Sequence, residues 1–268
     1  MFGRLSRRRI PFGLFGAVSL LLASVLATSD GHACSCIGPE LEVLSPRRPD
    51  GIPLNARVRV AMPAVGAGQA FPRLALRVHG GAEVVGRTRV YPDVAESVIE
   101  LTPTAPLSPS TRYEVAVIDP SQHPSTTVLS TFVTGTSVDT AAPVLDGLGV
   151  VSGHVSTRSG GGDCTIPGQW VTIEGWKAHD PGREHPELVF AIWGANAQGI
   201  LDTNRVPDAL LSPSEYNRSI TIGRSSLCST RDFPLKGPIV PLAVAVLDEA
   251  GNASAPRRIR VDITRNAP

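Results

Sequence analysis

The stretch LAVAVLDEAGNASAPRRIRVDI (242–263) decides the fold. Leu242, Val244 and Val246 alternate with Ala243, Ala245 and Leu247; Ile259, Val261 and Ile263 alternate with Arg258, Arg260 and Asp262. A period of two places successive side chains on opposite faces of a strand. Two such runs joined by Asp-Glu-Ala-Gly-Asn predict an antiparallel hairpin. The alanine-rich first run predicts a strand packed tightly on both faces. In the turn, Gly251 permits a positive φ, and Asp248 and Asn252 can cap backbone N–H groups. The same loop poses a functional question, because Asp248, Glu249 and Asn252 carry the oxygens that calcium prefers. Calcium takes about six to eight oxygens, more than this loop supplies. The turn is therefore expected to be structural.

The rest of the chain has the same texture. Its 268 residues are 42% hydrophobic and 18% charged, enough for one large or two medium cores. With 26 Gly and 24 Pro, turns are many and long helices few. Runs of period two recur from residue 41 onward. ELEVLSP (40–46), ARVRVAM (56–62), RLALRVHG (73–80), SVIELTP (97–103), TRYEVAVID (111–119) and TVLSTFVTG (127–135) are candidate strands of the first half. QWVTIEGWKAHD (169–180), ELVFAIWGAN (187–196), NRSITIG (217–223), IVPLAVAVLD (239–248) and RRIRVDI (257–263) are those of the second. The expected fold class is all-β: two tandem antiparallel β-sandwiches behind an N-terminal signal peptide.

That signal occupies residues 1–33. Arg4, Arg7, Arg8 and Arg9 precede the apolar run LFGAVSLLLASVLAT (14–28), with small residues at Gly31 and Ala33. Cleavage after Ala33 would leave Cys34 first; a competing site follows Ala27. Removing 1–33 takes away four arginines and one aspartate and leaves 21 basic and 23 acidic side chains. No strong field draws this chain to nucleic acid, and no later run is long enough for a transmembrane helix. The expected location is outside the cytoplasm: periplasm, outer cell surface or extracellular space.

Export puts the four cysteines where disulfides persist. They allow three pairings. Cys164–Cys228 is the expected one, since both fall in the second half and close a long loop. Cys34 and Cys36, in CSC (34–36), are then a local pair, free thiols or a lipid anchor through Cys34. The preceding GHA lacks the aliphatic residue of a lipobox, and two thiols are too few for a soft metal.

Residues 41–143 resemble the SbsA-type bacterial Ig-like domain. The resemblance rests on LSPRRPDGIPLNARVRVAM (44–62), ELTPTAPLSPSTRYEVAV (100–117) and STFVTGTSVDTAAP (130–143). It implies that Pro106 and Pro109 stiffen a corner between strands. It also implies that Tyr113 buries its ring while its hydroxyl bonds nearby backbone, as in a tyrosine corner. Met62-Pro63 stands where the family pattern usually has an aromatic. The second half is similar to Ig-like or fibronectin type III modules in its last hairpin. The chain thus divides into a leader (1–33), a Cys-x-Cys segment (34–40), a first sandwich (41–138), a linker (139–143) and a second sandwich (144–266).

No residue is assigned a catalytic, cofactor-binding or metal-binding role. HDPGREHPE (179–187) holds His179, Asp180, Glu184, His185 and Glu187, but Pro181, Gly182 and Pro186 forbid the helix that would align them on zinc. A solvated loop is the expectation there. VSGHVSTRSGGGDC (151–164) holds Ser152, His154 and Asp163 without nucleophile-elbow spacing. What remains is an exported, non-enzymatic structural or interaction module facing an envelope protein or a glycan. The alternative is a binding module that stacks a ligand on an exposed Trp170, Trp176 or Trp193.

Overall fold

The first seven strands share a hydrophobic core that alternation in the sequence builds directly. In the computed structural model the described residues are 41–63, 72–91, 96–118, 126–156, 168–183, 187–196, 198–213, 219–223, 233, 235 and 237–263. Strands β1 (Glu42–Ser45), β2 (Val58–Pro63), β5 (Glu96–Pro103) and β4 (Gly86–Tyr91) form one antiparallel sheet in the order β1-β2-β5-β4. Strands β3 (Arg73–Val78), β6 (Arg112–Ile118) and β7 (Thr126–Val133) form the other. In immunoglobulin lettering these sheets are A-B-E-D and C-F-G, the constant-type arrangement. Val58 and Val60 oppose Leu101 and Ile99 on one inner face, and meet Leu74, Leu76, Val115 and Phe132 from the other. Tyr113, the second residue of β6, is buried, with its ring 5.7 Å from that of Phe132. Its hydroxyl accepts a 2.9 Å bond from the Ser108 N–H, so the tyrosine corner is present.

The second sandwich switches one strand between sheets. β9 (Val150–Ser156), β10 (Gly168–Glu174) and β14 (Ile220–Gly223) pair in the order β14-β10-β9. β8 (Val144–Gly147) pairs with β11 (Lys177–His179) and continues that ladder, because Val150 opposes Glu174 and Gly147 opposes Lys177. The facing sheet is β13-β12-β15-β16, formed by Ala209–Leu211, Val189–Gly194, Ile239–Leu247 and Arg257–Asp262. Three lettered strands, A-B-E, thus face four, C′-C-F-G, as in fibronectin III-like sandwiches. Val171, Ile173, Ile220 and Ile222 pack here against Phe190, Ile192, Leu242, Val244 and Val246. No ladder joins β1–β7 to β8–β16 among the described residues.

The 242–263 stretch is the hairpin that its alternation predicts, with Leu242 opposite Ile259 and Val240 opposite Val261. Strands β4, β8, β9 and β13 lie outside the candidate runs. β4 explains why: of its six residues only Tyr91 is buried, so it carries no apolar period. Cys34, Cys36, Cys164 and Cys228 lie outside the described residues, as do Asp163, Glu184 and His185.

The alanines of β15 explain the packing of the two sandwiches. Leu242, Val244 and Val246 fill the second core, while Ala243 and Ala245 point the other way. There, with Val189, Ala191, Trp193 and Leu210, they meet Leu44, Ala61, Tyr91 and Val98 on the outer face of the β1-β2-β5-β4 sheet. Small side chains let two sheets approach closely, and every residue of β12 is buried. The modules therefore share a third hydrophobic core, packed face to face.

Candidate functional site

Beside this shared core lies a polar junction, and the turn 248–252 is its centre. Asp248 and Glu249 are each 1% exposed, so this turn is docked. On the first sandwich, Arg59 is fully buried on β2. Its Nε donates to Glu100 Oε2 at 2.9 Å, and its Nη1 crosses the junction to the Asp248 carbonyl at 2.8 Å. The Arg57 N–H donates to the Glu249 carbonyl at 2.8 Å. Arg48 clasps the Glu249 carboxylate, with Nη2 2.6 Å from Oε2 and Nε 3.1 Å from Oε1.

The linker closes the same corner. Asn55 and Asp139 exchange two bonds: Asn55 Nδ2 to the Asp139 carbonyl at 2.8 Å, and the Asp139 N–H to Asn55 Oδ1 at 2.9 Å. Asn252 Nδ2 donates to the Asp139 carbonyl at 3.2 Å and to Asp248 Oδ2 at 2.8 Å. The Asn252 N–H donates to Asp248 Oδ1 at 2.8 Å. The turn is therefore capped as Asx chemistry predicts.

A third strand end completes the group. Asp180 follows β11 and is 2% exposed, not solvated as the 179–187 expectation had it; Pro181-Gly182 turns the chain away and leaves the aspartate facing inward. One carboxylate oxygen from each of Asp139, Asp180 and Asp248 lies within 4.8 Å of the others. Arg183 spans them: its Nη2 is 2.8 Å from Asp139 Oδ2, its Nε 3.3 Å from Asp180 Oδ2, and its Nη1 also binds Glu249 Oε2. Burial, then the Asp139 and Asp248 charges, push the Asp180 carboxyl up to about 6. Burial also pushes Asp248 up, against the two Asn252 hydrogen bonds. Half-buried Glu187 is pushed up by its burial too; its Oε2 accepts from the Arg47 N–H across the junction.

The tryptophans take three different positions. Trp193, 6% exposed, donates from Nε1 to the Arg205 carbonyl at 2.9 Å and belongs to the shared core. Trp176 packs edge-on against Phe190, 4.9 Å between centroids. Trp170, half-buried, stacks on His154 at 5.2 Å and 12°, on the side of β10 away from Val171 and Ile173. His179 meets Asp146 at 2.9 Å near the surface, away from Asp180's inward carboxylate. The acidic cluster itself escapes a sequence search, since its members are separated by 41 and 68 positions. Asp248 and Asp180 were each legible as candidate ligands, but in separate loops and for different ions, and Asp139 was not.

No protein-family model matches the chain, and no curated protein matches it. Among solved structures it is similar to the fibronectin(III)-like modules of Clostridium thermocellum CbhA, at 10% identity over 84% of this chain and 94% of that one, TM-score 0.26. It is also similar to chicken CNTN1 FN1–FN3 domains, at 16% identity over 84% and 67%, TM-score 0.26. A pullulanase from Anoxybacillus sp. LM18-11 shares 10% identity over 82% of this chain and 25% of that one, TM-score 0.24, so the chain spans a quarter of its length. At these scores the likeness carries no assignment. The Ig-like and fibronectin III-like character rests on the strand orders.

Proposed function

We propose that this chain is an exported, non-catalytic tandem Ig-like protein of the bacterial cell envelope or extracellular space. It works as a rigid structural and interaction unit for an envelope protein or a glycan. The shared core carries this reading. Two sandwiches that bury Ala61, Tyr91 and Val98 against Ala191, Trp193 and Ala245 present their outer faces and loops at fixed spacing. Beads joined by a free linker would not. The A-B-E-D/C-F-G order of the first sandwich supports the SbsA-type resemblance. The arginine-rich leader supports export.

Fractionation with mass spectrometry of the mature N-terminus tests the reading. Recovery outside the cytoplasm, with residues up to about Ala33 removed, is expected. The same spectra report a lipid on Cys34 and the thiol pairing. Recovery in the cytoplasm with the leader intact overturns it.

The Trp170–His154 stack favours a second reading, in which the outer face of the β14-β10-β9 sheet binds a sugar ring or a protein side chain. A glycan array separates the two: signal lost in Trp170→Ala supports the binding module, and no signal for the parent supports presentation alone.

A further inference from the structure

We propose that Asp139, Asp180 and Asp248 bind one hard divalent cation of the calcium class at the junction. The inference goes beyond the scaffold role proposed above and does not depend on it.

Asp180 carries the proposal. It is 2% exposed, and neither carboxylate oxygen has a hydrogen-bond donor. Arg183 Nε lies 3.3 Å from Oδ2 as an ion pair without hydrogen-bond geometry. A buried carboxylate normally accepts several bonds, and leaving both oxygens unbonded is costly. One of them lies within 4.8 Å of a carboxylate oxygen of each of the two other aspartates. A cation there would satisfy them.

Chemistry selects the ion. The donors are carboxylate oxygens only, which suits a hard cation over zinc or copper. Two ligands of one ion cannot be farther apart than the diameter of its shell. Oxygens within 4.8 Å of one another fit inside a calcium shell, about 4.6–5.2 Å across, whereas magnesium demands near-ideal octahedral geometry and keeps several waters. Each aspartate offers one oxygen to the shared position, and water fills the remainder of a calcium shell.

Charge points the same way. Asp139, Asp180, Asp248 and Glu249 face Arg48 and Arg183. Glu100 with Arg57 and Arg59, on the first sandwich, and half-buried Glu187 belong to the same junction, so six carboxylates meet four arginines and an excess of two negative charges is left for a divalent ion. Glu249 is no ligand, because both arginines already hold its carboxylate. The ligand set is thus distinct from the Asp248, Glu249, Asn252 loop that sequence suggested. An ion here ties the linker, through Asp139, to two ends of the second sandwich. Asn55 and Arg59 pass that restraint to the first.

Calorimetric titration of the full chain, stripped with EGTA, with calcium chloride and then with magnesium chloride tests the site. One calcium per chain is expected, with a dissociation constant of about 10⁻⁴–10⁻³ M, as in extracellular modules, and weaker magnesium binding. The melting temperature should climb with the logarithm of calcium concentration above that constant. Asp180→Asn should abolish the heat and the climb, yet melt in EGTA no lower than the parent, because it removes a buried charge without hydrogen bonds. Should that variant fail to fold, Asp139→Asn should lose at least tenfold in calcium affinity. A folded parent with neither heat nor shift at about 10 mM calcium overturns the site. So does a folded Asp180→Asn variant that responds like the parent. Either failure leaves the export test unaffected.

Discussion

Arg59 Nη1 donates a 2.8 Å hydrogen bond to the main-chain carbonyl of Asp248, across the face where the two sandwiches meet. The same guanidinium pairs with Glu100 at 2.9 Å, and both side chains are nearly inaccessible. Cutting one partner of a buried pair leaves the other charged and desolvated, at a cost of about 3–5 kcal/mol. Arg59→Ala should lose about that much unfolding free energy, since Arg57 Nη1 stands 3.5 Å from Glu100 and compensates weakly. Replacing both by apolar residues, Arg59→Met with Glu100→Leu, should recover most of the loss. Urea unfolding of the two single variants and the double variant measures it, and additive losses would contradict the coupling.

Small side chains set the spacing of the shared core. Ala191 and Ala245 are cross-strand partners on the face of β12 and β15 that meets the first sandwich. Ala245→Leu inserts methylenes into a packed layer, at about 1–3 kcal/mol. Neither sandwich's own core contains Ala245, so each should stay folded while the pair is pushed apart. Solution X-ray scattering should then report a larger radius of gyration than the parent's, with an unchanged far-ultraviolet spectrum. An unchanged radius would contradict face-to-face packing.

Much of this was legible in the sequence, and the exceptions have physical causes. Alternation located β2, β3, β5, β6, β7, β10, β12 and the β15–β16 hairpin because each buries one face or both. The alanines of β15 announced a strand packed on both sides, though not that a second module covers the outer one. β4 hides because its exposed residues have no period. The acidic junction hides for a different reason: Asp139 lies in the linker, Asp180 at a strand end and Asp248 in a turn, and only the tertiary fold brings them together. Arg59 reads as the polar side of an amphipathic strand, yet it is fully buried because that side faces another protein layer.

The junction should also sense pH through Glu187. Burial first, then the Glu249 charge, raise this carboxyl above its ordinary 4.5, against hydrogen bonds from the Arg47 and Arg48 backbone and the charge of Arg47. Between the unfolded and the folded values, the native state holds a proton that the unfolded chain has released. Stability from this group is therefore full below about pH 4.5 and is lost as pH rises through the raised value. Glu187→Gln keeps an acceptor for the Arg47 N–H and cannot ionise. Its unfolding free energy in EGTA should gain on the parent's from about pH 4 to about pH 8. Parallel curves would show that the carboxyl titrates alike in both states.

The turn that opened the question gives the last test. Gly251 has φ +85°, and a Cβ there would lie 2.3 Å from Arg57 Nε and 2.5 Å from its Cζ. Alanine at this position meets two penalties: left-handed backbone strain, about 1–2 kcal/mol, and displacement of a first-sandwich arginine from the docked turn. Gly199 has φ +76° with nothing within 4 Å of such a Cβ, so Gly199→Ala meets the first alone. Gly251→Ala should therefore cost more than Gly199→Ala by the contribution of the Arg57 contact. In chemical denaturation the excess should shrink in Arg57→Ala, where the guanidinium is gone. Equal costs in both backgrounds would mean that the Arg57 side chain does not bear on the turn, which the Arg57 N–H, Arg59 and Arg48 would then hold from the first sandwich without it.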